Sequence, residues 1–146
     1  MRDRKPEEDV AVESRTFGVS APEVAAIDRW VEEVATQWGL SERTVFRTRL
    51  CVAELAANVV EHGVACSGDN PIALTLSRLG NGVGVEFRDS CGPFDPTKAA
   101  CQEGALAIES ASARGRGLRL LCAYGKDIAY AHEGGRNRVT LRIESE

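Results

Sequence analysis

The feature that most narrows the fold is a pair of alternating segments joined by Gly80-Asn81-Gly82. Before the turn, Ile72, Leu74 and Leu76 alternate with Ala73, Thr75 and Ser77. After it, Val83, Val85 and Phe87 alternate with Gly84, Glu86 and Arg88. Successive side chains of a strand point to opposite faces, so this pattern makes one face apolar and leaves the other wet. Asn-Gly supplies the left-handed backbone that a tight hairpin turn demands. A second hairpin uses Ile128 and Tyr130, turns at Glu133-Gly134-Gly135 and returns through Val139, Leu141 and Ile143. The chain must therefore hold an antiparallel sheet with one face to bury, and something else must cover that face.

Two amphipathic helices are the candidates. Ser20-Ala21-Pro22-Glu23 reads as a capping box with proline in the first turn, followed by Val24, Ile27, Val31, Val34 and Trp38 at spacings of three and four and ended by Gly39. Ser41 caps a second helix that runs to about His62 and stops at Gly63. On its wheel Val45, Thr48, Val52, Leu55 and Val59 form an apolar face, with Arg47, Cys51, Glu54, Asn58, Glu61 and His62 in a stripe roughly 120° away. The flanking Ala53, Ala56 and Ala57 leave room for a backbone or a ligand to come close.

Ahead of the helices, the stretch carrying Val10, Val12 and Phe17 fits an edge strand, and Met1–Asp9, with seven charges in nine residues, is expected to fray. From Gly92 to Ala113 no period is sustained, although a short helix over 104–109 fits within it. An irregular segment of that length is more often a functional lid than a connection. Gly115-Arg116-Gly117-Leu118 then opens a helix through Tyr124. The order β α α β β (lid) α β β predicts an α+β fold, with helices against one face of a mostly antiparallel sheet. Residues 1–10 are read as a tail and 11–146 as one domain. A chain of 146 residues buries about two thirds of its unfolded surface, so it needs no metal or disulfide staple.

Composition removes several functions. The 18 cations against 22 anions give a net charge of −4, and only 5% of residues are aromatic. A nucleic-acid platform wants a basic face and stacking rings, so a polymer partner is excluded. Fifteen of the cations are arginine, which favours planar contacts with anions. The five cysteines form no CxxC and only two histidines accompany them, so zinc is disfavoured. They are expected to be small buried hydrophobes in a reducing, cytoplasmic setting. Residues 1–20 lack the apolar centre of a signal peptide, and no apolar run is long enough for a membrane span.

Three segments carry chemistry. Glu54 and Asn58, four apart, project from one helix face, where a carboxylate can take a proton and an amide oxygen can ligate Mg²⁺. Alone, such a pair is usually a solvated face. Asp89, at the end of an apolar strand in Asp89-Ser90-Cys91-Gly92-Pro93, either starts a turn or accepts from an amino group such as that of adenine. Arg114-Gly115-Arg116-Gly117-Leu118 at a helix start suits an anion, but it is neither a Walker A loop nor a dinucleotide fingerprint after a first strand.

In this order and on these elements, the segments resemble the GHKL ATP-binding superfamily, or Bergerat fold, and within it the small anti-sigma-factor serine/threonine kinases of the RsbW type. The resemblance covers the chain from about Val12. It is carried by Glu54-Leu55-Ala56-Ala57-Asn58-Val59-Val60-Glu61-His62-Gly63, Gly92-Pro93-Phe94-Asp95-Pro96, Gly115-Arg116-Gly117-Leu118 and Asn137-Arg138-Val139-Thr140-Leu141. It implies ATP and Mg²⁺ as ligands, with Asn58 on the metal and Asp89 on the adenine amino group, helped by Thr140. Gly92 would lie under the base. Arg114, Gly115, Arg116, Gly117 and Leu118 would surround the phosphates, and Glu54 would be the general base. The implied activity is phosphorylation of a STAS-domain antagonist, with a sigma factor as the alternative partner; a homodimer stays open. A non-catalytic ATP-binding adaptor is the competing reading, and retention of Glu54 favours the kinase. A histidine-kinase fragment is disfavoured, because no helix pair with a phosphoacceptor histidine precedes the domain. The family's Asp-x-Gly box departs here, with Cys91 at the third position and glycine displaced to Gly92. A left-handed backbone there would cost Cys91 about 1 kcal/mol and would set a thiol beside the base.

Overall fold

A computed structural model describes residues 11–62, 66–97 and 121–145 of the chain. Its elements run β1 (Val12–Phe17), α1 (Ala21–Gln37), α2 (Glu42–His62), β2 (Ile72–Leu79), β3 (Gly82–Asp89), β4 (Gly125–Glu133) and β5 (Arg136–Glu144). The five strands form one antiparallel sheet in the order β1-β2-β3-β5-β4. The expected architecture is met. Residues 121–124 are helical, ahead of β4, while the rest of the expected lid and its following helix lie outside the described residues.

The β2–β3 turn follows from its glycines. Leu79 pairs with Gly82, leaving Gly80 and Asn81 as a two-residue loop. Gly82 has φ +150°, and a Cβ there would sit 1.9 Å from the Ile143 carbonyl oxygen of β5, so no other residue fits. The β4–β5 turn uses Gly134 and Gly135 at φ +60° and +75°, the left-handed pair that matches strand twist.

Strand parity then builds the core. Ile72, Leu74 and Leu76, Val83, Val85 and Phe87, and Val139, Leu141 and Ile143 are all buried on one face. They meet Ile27, Val31 and Val34 of α1 and Val52, Leu55 and Val59 of α2 in one cluster. Phe17 closes the β1 edge against Trp30, with ring centroids 5.8 Å apart and planes at 65°. The opposite face carries Ala73, Thr75, Ser77, Gly84 and Thr140 together with the charged Glu86, Arg88, Arg138 and Arg142, polar as its alternation requires.

The caps also behave locally. Ser20 Oγ accepts from the Glu23 N–H at 3.3 Å, and Ser41 Oγ accepts from the Thr44 N–H at 3.1 Å. The Glu23 carboxylate instead accepts from the Gly18 N–H at 2.8 Å, tying down the β1–α1 link. Between the helices, Arg49 donates to both oxygens of Asp28 at 3.1 and 2.8 Å, with Glu32 3.5 Å away. Among the described residues no helix is long and apolar enough to cross a membrane.

One expectation fails. The cysteines are not all free thiols: Cys66 is bonded to Cys91, with S–S 2.01 Å, and Cys122 is disulfide-bonded as well. Cys51 is the free cysteine among the described residues, fully buried. Burial first, and the charge of Glu54 second, push its thiol up to about 12. Spacing could not disclose the pair, whose members are 25 residues apart. The hairpin register creates it, because Ile72 lies opposite Asp89 and so brings the segment before β2 beside the end of β3.

Candidate functional site

Where α2 crosses the ends of β3 and β5, a narrow pocket opens. From α2 it takes Leu55, Asn58 and Val59, from β3 Phe87 and Asp89, and from β5 Asn137 and Val139. Cys91, Gly92, Phe94 and Pro96, which follow β3, complete the wall. It is an apolar slot with a few polar groups converging on it, the usual form of a small-molecule site.

Asp89 is the last residue of β3 and is 7% exposed. Its Oδ1 accepts from the Cys91 N–H at 3.0 Å and from Asn137 Nδ2 at 2.9 Å. Among the described residues its Oδ2 has no hydrogen-bond donor. The two readings of this aspartate are thus compatible: one oxygen makes an Asx turn and the other is left for an amino group in the pocket.

Asn137 is the residue that sequence reasoning missed. Its Nδ2 also donates to the Gly92 carbonyl at 2.9 Å. Its Oδ1 accepts from the Tyr130 hydroxyl and, at 3.4 Å, from the Phe94 N–H. One buried amide therefore holds the carboxylate, the turn after it and the β4 neighbour together. Burial pushes the Tyr130 hydroxyl pKa up, which keeps it a donor. The resemblance places Thr140 near the base, but it lies opposite Glu86 on the other face of the sheet. The period of two decides this: Val139 and Leu141 face the core, so Asn137 does too and Thr140 cannot. That parity was a usable signal in the sequence.

Asn58 is 3% exposed, and its Oδ1 is buried with no hydrogen-bond partner among the described residues. An unpaired buried amide oxygen costs roughly 1–3 kcal/mol, so its persistence points to a partner that completes it. A hard cation suits such an oxygen, since Mg²⁺ is held through one or two protein oxygens plus substrate phosphates. Glu54 lies one helical turn earlier on the same side, half-buried and outside the pocket wall. Arg47 stacks over the Tyr124 ring at 4.9 Å, linking α2 to residues 121–124. His62 ends α2, but its side chain lies outside the described residues. So do Arg114, Gly115, Arg116, Gly117 and Leu118.

Cys91 sits at the displaced glycine position without the expected strain. Among the described non-glycine residues, Asp127 alone has positive φ. The glycine at the next position, Gly92, lines the pocket and offers its carbonyl to Asn137.

Comparison with known proteins bears directly on this arrangement. Residues 19–143 match the family described as the histidine kinase-like ATPase domain. The chain is 30% identical over 132 residues to the serine/threonine-protein kinase BtrW of Bordetella bronchiseptica, spanning 89% of this chain and 93% of that one. In fold it is similar to the structure of the RsbU and RsbW domains of Rv1364c from Mycobacterium tuberculosis, with TM-score 0.68 and 17% identity over 92% of this chain. It spans 32% of that longer chain. The SiaB–SiaC complex from Pseudomonas aeruginosa matches with TM-score 0.54 and 13% identity, over 90% of this chain and 88% of that chain.

Proposed function

Because this chain belongs to the histidine kinase-like ATPase domain family, we propose that it binds Mg·ATP in the pocket between α2, β3 and β5. We further propose that it phosphorylates a serine or threonine of a partner protein. The observation that carries the reading is the buried Oδ1 of Asn58, without a partner among the described residues, in the same pocket as the half-committed carboxylate of Asp89.

Asp89 Oδ2 accepts a hydrogen bond from the adenine amino group, while Asn137 and the Cys91 N–H hold Oδ1 and so aim the carboxylate. Gly92 passes under the base. Asn58 would hold the Mg²⁺, which would supply charge neutralisation at the phosphates. Arg114 and Arg116, with the amides of Gly115, Gly117 and Leu118, complete the phosphate site. Glu54 orients the acceptor hydroxyl and takes its proton as the γ-phosphoryl group moves to that oxygen and ADP leaves. Phosphoryl transfer through a loose transition state asks mainly for positioning and charge neutralisation, so an ordinary carboxylate suffices.

Similarity to BtrW, together with the fold shared with RsbW and SiaB, supports a partner-switching system. The acceptor is a STAS-domain antagonist, and a sigma factor is the partner held in the other state; a cytoplasmic setting fits both. The test is transfer of label from [γ-³²P]ATP to a STAS-domain protein from the same genome. Transfer by wild type and its loss in Glu54→Gln, with ATP binding retained, is the expected result. Tight ATP binding with no transfer to any such partner would instead favour the adaptor reading.

A further inference from the structure

The nucleotide pocket has a covalent strap that the chemistry above does not use. Cys91 lines the pocket and is 4% exposed, whereas its disulfide partner Cys66 is exposed. Around the bond, the Ser67 N–H donates to the Ser90 carbonyl at 3.1 Å, and the Ser90 N–H donates to the Pro71 carbonyl at 3.1 Å. Ser90 Oγ donates to the Ser67 carbonyl at 2.8 Å. Segment 66–71 is thereby laced to the turn that carries Asp89. One cysteine of the pair is an exposed residue, and the other is the residue whose N–H helps aim the Asp89 carboxylate.

We propose that Cys66–Cys91 is a thiol–disulfide exchange site coupled to the pocket, at which reduction by a dithiol weakens adenine-nucleotide binding and bound nucleotide favours the closed disulfide. The proposal rests on the reading of the pocket as a nucleotide site. A reagent thiolate attacks the sulfur of the exposed Cys66, the S–S bond breaks, and Cys91 leaves as a thiolate that takes a proton. The second reagent thiol then attacks the mixed disulfide and releases Cys66 as a thiol. Two electrons pass from the dithiol to the protein, and the reagent ends as a cyclic disulfide.

Coupling follows from what the bond holds. With it closed, Cys91 is anchored, its N–H stays on Asp89 Oδ1, and the pocket wall is ordered before ligand arrives. With it open, the wall keeps its hydrogen bonds but loses its covalent anchor, so binding must supply the ordering. Linkage makes the effect reciprocal: the factor by which reduction weakens nucleotide is the factor by which nucleotide shifts the exchange equilibrium.

Two measurements on the full chain test this. Anisotropy of a fluorescent adenine nucleotide is read with oxidised and with dithiothreitol-reduced protein, for wild type and Cys66→Ala. We expect reduction to weaken wild-type binding roughly fivefold or more, Cys66→Ala to bind like reduced wild type, and dithiothreitol to change that variant no further. The exchange midpoint of Cys66–Cys91 is then followed in a dithiothreitol redox buffer, by alkylation of Cys66, with and without Mg·ATP. It should move by the same factor. Equal or tighter binding after reduction, or a midpoint indifferent to Mg·ATP, would overturn the proposal. A dithiothreitol effect that persists in Cys66→Ala would also overturn it and assign the effect to the disulfide of Cys122. If Cys66→Ala does not fold, the wild-type midpoint decides by itself. Nucleotide bound by neither redox state would bring down the pocket reading as well, which separates the two failures.

Discussion

The two helices over the sheet share a periodicity but differ in what they bury. Helix α1 inserts Ile27, Trp30, Val31, Val34 and Ala35, all apolar. Helix α2 inserts Val52, Leu55 and Val59 but also Thr44, Thr48 and Asn58. Its threonines are satisfied, since Thr44 Oγ1 accepts from Ser41 Oγ at 2.9 Å and Thr48 Oγ1 donates to the Thr44 carbonyl at 2.8 Å. The Asn58 oxygen has no hydrogen-bond partner among the described residues. A helix that only packs can satisfy every buried group from within the protein. One that keeps a buried acceptor with no partner among the described residues gives up stability, which a ligand bound there would offset.

The contrast can be broken at several points. The largest effect is expected at Glu54→Gln, which should slow phosphoryl transfer by about 10²–10⁴-fold while leaving ATP affinity within about twofold. Transfer at the wild-type rate in the labelled-ATP assay would remove Glu54 as the base. In α1, Ile27→Ala should cost about 2–5 kcal/mol of stability in a urea titration, with nucleotide affinity of the folded fraction unchanged. A specific loss of binding there would erase the division of labour between the helices.

A smaller and more telling change is Asn58→Leu. Replacing the orphaned amide by a similar apolar volume should leave stability unchanged or raise it by roughly 1 kcal/mol, yet weaken Mg·ATP binding at least tenfold by calorimetry. A marked loss of stability would mean that Asn58 is an ordinary structural residue. The companion change on β5, Asn137→Ala, should also weaken nucleotide binding, because Asp89 and the Gly92 turn lose their common clasp. There a fall in stability is expected too.

A further effect concerns Cys51 and appears only in alkali. Its thiol is held up to about 12 in the fold against a reference of 9.0. As pH rises past 9, the unfolded chain releases this proton while the folded chain keeps it. The contribution is therefore complete below pH 9 and is lost between about pH 9 and 12, at up to about 1.4 kcal/mol per unit. Cys51→Ala should show a correspondingly shallower decline in chemical denaturation across that range. Identical slopes would mean that the thiol is reached by water.

Much of this molecule was legible in the chain. The alternation around Gly80-Asn81-Gly82 and the capping signals at Ser20 and Ser41 are local, because strand parity, turn conformation and helix capping depend on residues a few positions apart. The placement of Asp89 at a strand end and of Asn58 one turn after Glu54 followed from the same rules. Thr140 was misplaced although the parity that excludes it was readable from Val139 and Leu141.

What tertiary structure alone decided is everything that joins distant segments. Asn137 reaches Asp89 across 48 residues and Cys66 reaches Cys91 across 25; neither pairing has a local signature. Both arise because the strand order sets β3 between β2 and β5, so that the end of β3 meets the start of each neighbour. By itself the sequence determined the elements, their buried faces and the residue types for a nucleotide. The sheet register determined which of those side chains meet, because local propensity carries no information about which strand ends will lie side by side.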